Sequence, residues 1–151
     1  MRALVQRVKQ ASVSIDGTVY SEIRRGMLVF LGVTHRDTAE DGQYLAQRCG
    51  NLRIFEDSEN KMNLSVKDIG GKALVVSQFT LYADTRKGHR PSFVDAARPE
   101  AAEQLYAKFV ESLRAELSES QVRTGMFRAM MDISLINDGP VTIMLESKNH
   151  S

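Results

Sequence analysis

The sequence predicts a single α+β domain: a mostly antiparallel sheet, or partial β-barrel, with two main helices packed against it. Three observations predict this class. Apolar residues fall largely in strand-sized runs, several of them alternating with polar residues. Two longer stretches, Asp37–Gly50 and Pro99–Leu117, carry helix signals instead. No repeat, low-complexity tract or linker divides the chain, so residues 1–146 read as one domain and 147–151 as a polar tail.

Taken in order, Ala3 and Val5 alternate with Leu4, Gln6 and Val8, and Val13 and Ile15 alternate with Ser12 and Ser14. That pattern predicts two strands of a meander, with a turn at Asp16-Gly17 leading into Val19. Gly26 introduces the unbroken apolar run Met27–Val33, the pattern of a central strand buried on both faces. Asp37 or Thr38 is placed to cap a helix running to about Gly50. A short strand at Leu52–Phe55 and the turn-rich Glu56–Asn60 follow. Gly70-Gly71 then precedes the strand Ala73–Val76. Residues 84–98 have neither helical nor strand period and read as a functional loop. Pro99 suits the first turn of the longest helix, in which Leu105, Phe109, Leu113 and Leu117 recur every fourth residue beside Tyr106 and Val110. Strands at Gln121–Thr124, Asp132–Ile136 and Val141–Leu145 close the chain.

Composition narrows the function classes. Twenty basic residues against 19 acidic ones leave a net charge of +1, so any contact with nucleic acid has to be local. The single cysteine, Cys49, excludes an internal disulfide and a zinc cluster. His35, His89 and His150 are scattered and read as surface residues rather than metal ligands. No metal or cofactor is expected. No apolar run is long enough to cross a membrane as a helix, and the first residues lack a signal peptide's apolar stretch. A cytoplasmic location is the default expectation.

Three segments carry chemistry-bearing residues. Ser77-Gln78-Phe79-Thr80-Leu81 follows an apolar strand; if extended, it places Gln78 and Thr80 on one face and Ser77, Phe79 and Leu81 on the other. Backbone N–H groups at such a strand end lose their ladder partners and can stabilise an oxyanion. Taken alone, the same residues also fit ordinary strand positions. Asn137-Asp138-Gly139-Pro140-Val141-Thr142 contains a proline that cannot sit mid-ladder, so it marks a break, a bulge or a turn, and reads first as a hairpin turn. The loop Thr85–Phe93 gathers Arg86, Lys87, His89 and Arg90 beside Phe93, a patch able to hold phosphate and border a base, or simply a solvated loop. A Ser77–His89 triad has no support beyond residue type.

In combination these motifs resemble the D-aminoacyl-tRNA deacylase family, also called D-tyrosyl-tRNA deacylases. The family's Ser-Gln-Phe-Thr-Leu and Asn-x-Gly-Pro-[Val/Phe]-Thr segments stand without departure at 77–81 and 137–142. Gln6-Arg7-Val8, Ala11-Ser12-Val13, Lys61–Leu64 and Arg90–Phe93 also look like the family. The resemblance implies a homodimer with active sites at the subunit interface. It implies a cis Gly139-Pro140 bond reaching into the partner's pocket, with Arg7 fixing that pair's orientation. It further implies that Ser77, Gln78, Phe79 and Thr80 line a pocket for the 3′ acceptor end of an aminoacyl-tRNA, and that L-amino acids are rejected while D-aminoacyl esters, and some glycyl-tRNA, are hydrolysed. Arg86, Lys87, Arg90 and Phe93 become candidate tRNA contacts. Two rival functions remain: a small-molecule esterase with Thr80 or Ser77 as nucleophile, and a non-catalytic RNA-binding module using the basic loop.

Overall fold

A computed structural model describes residues 1–148; the expected polar tail therefore falls partly, and His150 wholly, outside the described residues. The first strand, β1 (Arg2–Ile15), organises the sheet. Along one edge it pairs antiparallel with β3 (Gly26–Gly32) over its first half and with β2 (Thr18–Ile23) over its second. Along the other edge it pairs with β8 (Asp132–Glu146) over nearly its whole length. Beyond β3 lie β6 (Lys72–Ser77) and β7 (Val122–Thr124), both in parallel register. The sheet is thus mixed. Ser21 Oγ donates to the Thr124 carbonyl at 2.7 Å, linking β2 to β7 and nearly closing the barrel.

Parallel neighbours need crossovers, and the two helices supply them. Helix α1 (Ala39–Asn51) starts at Thr38, whose amide donates to the Asp41 carboxylate at 2.8 Å. Helix α2 (Pro99–Glu116) has proline in its first turn. Both pack on one face of the sheet, where Leu45, Phe109 and Leu113 are wholly buried against Val5, Val29 and Val75. Each such side chain contributes about 1.5–3 kcal/mol of transfer free energy. Cys49 lies in this core, and burial pushes its thiol up to about 12. A second cluster of Val8, Val13, Leu28, Leu74 and Val76 fills the barrel's interior.

Several sequence expectations are corrected. The two meander strands before Asp16 are one continuous strand, because β8 supports its whole length. The strand expected at 52–55 is reduced to β4 (Phe55–Glu56), which pairs with the unanticipated β5 (Met62–Leu64) across the 57–60 turn. The two closing strands 132–136 and 141–145 are also one strand.

Candidate active site

β6 ends at Ser77, and the chain then tightens into a 3₁₀ turn, Phe79–Tyr82. The segment is therefore not extended, correcting the alternating faces expected for 77–81. The cause is local to the end of the sheet. Gln78 N donates to the Leu31 carbonyl at 2.8 Å as the last rung, and Leu81 N returns to Gln78 O at 3.3 Å. Gly32 lets the turn come this close: a Cβ there would lie 2.9 Å from Leu81 Cβ and 3.1 Å from Gln78 O. As the first residues of a helical turn, Phe79 and Thr80 have amides without an acceptor inside that turn. Gln78 and Thr80 do meet, though through the turn, with the Gln78 amide donating to Thr80 Oγ1.

A cavity of about 790 Å³ opens here, lined on one side by Ser77, Gln78 and Phe79. Phe93 enters the same wall, its ring edge-to-face with Phe79 at 5.1 Å between centroids. Two anchors seat the segment after Phe93. The His35 imidazole Nε2–H donates to the Val94 carbonyl at 2.6 Å, and Ala97 N donates to Val33 O at 2.9 Å. The opposite wall, Phe127–Met131, escaped the sequence reading. Its only signal was a cluster of Met and Phe in a connection without strand period. Met130 is 89% exposed at the rim, where a flexible thioether can adapt to what enters. Among the described residues, no imidazole or carboxylate hydrogen-bonds the Ser77 or Thr80 hydroxyl, and His89 is exposed on the loop.

Gly139-Pro140 lies elsewhere. Gln6 pairs with Thr142 and Val8 with Asn137, so Asp138, Gly139, Pro140 and Val141 all stand opposite Arg7. The segment is a wide bulge within β8 rather than the expected hairpin turn, because both flanks pair with the same strand. The Gly139-Pro140 bond is cis. Two side chains brace the bulge. Asn137 accepts from Val141 N at 2.8 Å and donates to Val141 O at 3.1 Å. The buried Arg7 donates from Nε to Asp138 O at 2.8 Å and from Nη1 to Ile54 O at 2.7 Å. Its charge is met by Asp138 at 3.6 Å and Glu56 at 3.9 Å. Gly139 and Pro140 themselves are exposed.

Within one chain the two motifs do not meet. Ser77 is level with Leu31 and Ala3, whereas Arg7 is level with Met27 and Ala73. Four residues along the strands and two strands across separate Arg7 from Ser77 by roughly 16 Å.

The basic loop is tied at its base by Asp84 and Ser92, which exchange backbone bonds of 2.7 and 2.9 Å. Arg86 turns back onto Asp84 with bonds of 2.9 and 2.8 Å, holding that carboxyl down to about 2. Lys87 and Arg90 are exposed and form no ion pair among the described residues. No group of three or more His, Cys, Asp or Glu able to hold a metal gathers among the described residues, and no helix there is long and apolar enough to cross a membrane.

Residues 4–146 match the family model described as D-Tyr-tRNA(Tyr) deacylase. The chain is 52% identical to a D-aminoacyl-tRNA deacylase of Fusobacterium nucleatum subsp. nucleatum, over 99% of this chain and 97% of that protein. It is 58% identical to one of Chloroflexus aurantiacus, over 97% of this chain and 91% of that protein. Among solved structures it is similar to a c-Myc DNA unwinding element binding protein, with a TM-score of 0.94, 42% identity and coverage of 99% and 100% of the two chains. A probable eukaryotic D-amino acid tRNA deacylase shares the fold, with a TM-score of 0.81 at 19% identity and coverage of 96% and 98%.

Proposed function

This chain belongs to the D-Tyr-tRNA(Tyr) deacylase family, and on that footing we propose that it hydrolyses the ester of D-aminoacyl-tRNA, releasing the D-amino acid and tRNA. The observation that carries the reading is the turn after β6, which begins at the wall of a cavity large enough for an aminoacylated adenosine and leaves the Phe79 and Thr80 amides without an acceptor inside the turn. Donors fixed in such a turn stabilise the oxyanion of an acyl transfer without reorganising.

The nucleophile in this reading is water, assisted by the neighbouring ribose 2′-OH, with the protein supplying position and charge stabilisation. The lack of a base supports this over a Thr80 alkoxide: among the described residues no imidazole or carboxylate hydrogen-bonds the Thr80 or Ser77 hydroxyl to take up its proton. The same lack weakens the small-molecule esterase alternative. Ser77 and Gln78 hold the turn and wall; Thr80 orients the ester.

Chirality is read by Gly139-Pro140 of a second copy, because the pair is exposed, braced from behind by Arg7, and distant from its own chain's cavity. Rigid backbone carbonyls there hold the substrate's α-amino group and leave no room for a side chain in the L position, whatever that side chain is. Glycine, lacking one, passes the filter in part. A homodimer gains further support from Phe30, Leu4 and Met144, which neighbour one another across β3, β1 and β8 and leave an apolar strip on the open face. Lys87 and Arg90 grip the acceptor end, beside Phe93. Such a local grip suits a chain of near-zero net charge acting in the cytoplasm.

Release of tyrosine from D-Tyr-tRNA and L-Tyr-tRNA, measured side by side at enzyme far below substrate, tests the reading. Turnover of the D ester with the L ester spared is expected. Equal loss of both would make the protein a general esterase, and binding without hydrolysis would leave only an RNA-binding module.

A further inference from the structure

We propose that Arg2 is a positioning residue for deacylation, fixing from outside the cavity the turn that presents Phe79 and Thr80. This rests on the reading that those two residues face the scissile ester. Three contacts converge on the Arg2 guanidinium. Nη1 donates to the Leu81 carbonyl at 2.8 Å. The cation lies over the Tyr82 ring, 4.5 Å from its centroid. Nε sits 3.1 Å from the Glu146 carboxylate, an ion pair without hydrogen-bond alignment. Leu81 and Tyr82 immediately follow Thr80, so one side chain holds the second half of the turn whose first half serves the substrate.

The turn needs such a hold. At its far end Leu81 offers a carbonyl to be capped, and Arg2 caps it with a charge-assisted bond. The Tyr82 ring is buried, its hydroxyl has no hydrogen-bond partner among the described residues, and the ring is held by packing and by the cation above it. Gly32, with no side chain to add, closes the turn from beneath.

Arg2 is itself anchored. Its backbone pairs with Gly32 on one side and Glu146 on the other. The preceding α-ammonium of Met1 donates to buried Asp37 at 2.7 Å and to Ser147 Oγ at 3.1 Å. A surface ion pair alone would contribute little: Arg2 is 32% and Glu146 40% exposed. What distinguishes Arg2 is that all its partners except Glu146 belong to the turn. Lysine could supply a charge and one donor but not the planar stack on Tyr82.

The test is steady-state deacylation of D-Tyr-tRNA by wild type, Arg2→Ala, Arg2→Lys and Glu146→Gln, all with a free N-terminus. Assays run well below each unfolding temperature. Since roughly 1 Å of misplacement costs about 100-fold, a partly loosened turn should lower kcat of Arg2→Ala about tenfold or more. KM should stay within about twofold, as the RNA grip is untouched. Arg2→Lys should recover part of the loss, and Glu146→Gln should stay near wild type. A folded Arg2→Ala with wild-type kcat overturns the proposal, and so does a change confined to KM, which would make Arg2 a direct RNA contact. Should Arg2→Ala not fold, Arg2→Gln decides by the same split. Wild type that spares D-Tyr-tRNA would instead sink the underlying deacylase reading.

Discussion

Gly32→Ala is the substitution whose consequences can be worked most fully from contacts. Gly32 has ordinary strand backbone, so alanine costs nothing in φ; the cost lies in the methyl. That methyl would stand 2.9 Å from Leu81 Cβ, 3.1 Å from Gln78 O and 3.3 Å from Tyr82 Cδ2. Carbon atoms pack at about 3.5–4.0 Å, so Leu81 must retreat by roughly 0.6–1.1 Å. All three atoms belong to residues that make the turn, which must therefore move as a unit. Overpacking of this kind costs about 1–3 kcal/mol, or a fall of roughly 2–12 °C in Tm for a domain of this size. A displacement approaching 1 Å at the reacting groups costs about 100-fold in rate. The activity loss should accordingly exceed anything the lost stability explains. Thermal unfolding and single-turnover hydrolysis of D-Tyr-tRNA at 25 °C, where the variant stays folded, separate the two effects. A folded Gly32→Ala with wild-type kcat would refute the claim that the turn's position sets the rate.

Arg7→Ala removes charge-assisted bonds to Asp138 O and Ile54 O, each worth about 1.5–3 kcal/mol, so urea unfolding should show a loss of about 3–6 kcal/mol. The loosened bulge should also narrow the ratio of D- to L-Tyr-tRNA hydrolysis. Thr80→Ala and Thr80→Ser should retain some turnover; complete loss in a folded protein, together with an acyl adduct trapped on wild type, would restore Thr80 as nucleophile. In tRNA binding, Lys87→Ala and Arg90→Ala should each reduce the slope of log affinity against log salt by about 0.7–0.9, and Arg86→Ala by less, since Asp84 already takes its charge. The Asp84 carboxyl should titrate near 2 by NMR and return toward about 4 in Arg86→Ala. Because its folded value is the lower one, any stability the pair lends is full above about 4 and disappears as pH falls through about 2.

Much of the scaffold was legible because single elements announce themselves. The Asp37-Thr38 cap, Pro99, and the four-residue spacing around Phe109 mark helix ends and a buried face without reference to partners. Met27–Val33 marks a strand covered on both sides. What failed was pairing. The alternation at 132–136 and 141–145 is genuine, yet nothing in it says that both pieces lie against one strand, which turns an expected hairpin into a bulge opposite Arg7. The polar–apolar alternation at 77–81 suggested an extended segment, but the approach permitted by Gly32, far away in sequence, bends it into a turn. The Phe127–Met131 wall depends on where a patternless connection comes to rest. Residue types at the site could be read; their arrangement depended on contacts between segments tens of residues apart.

One methyl group and its handedness offer the most direct test of selection by exclusion. Hydrolysis rates should be compared on D-Ala-tRNA, Gly-tRNA and L-Ala-tRNA carrying the same acceptor end. Selection by exclusion requires rapid turnover of the D ester, measurable turnover of the glycyl ester, and sparing of the L ester. L-Ala-tRNA hydrolysed as fast as D-Ala-tRNA would contradict it.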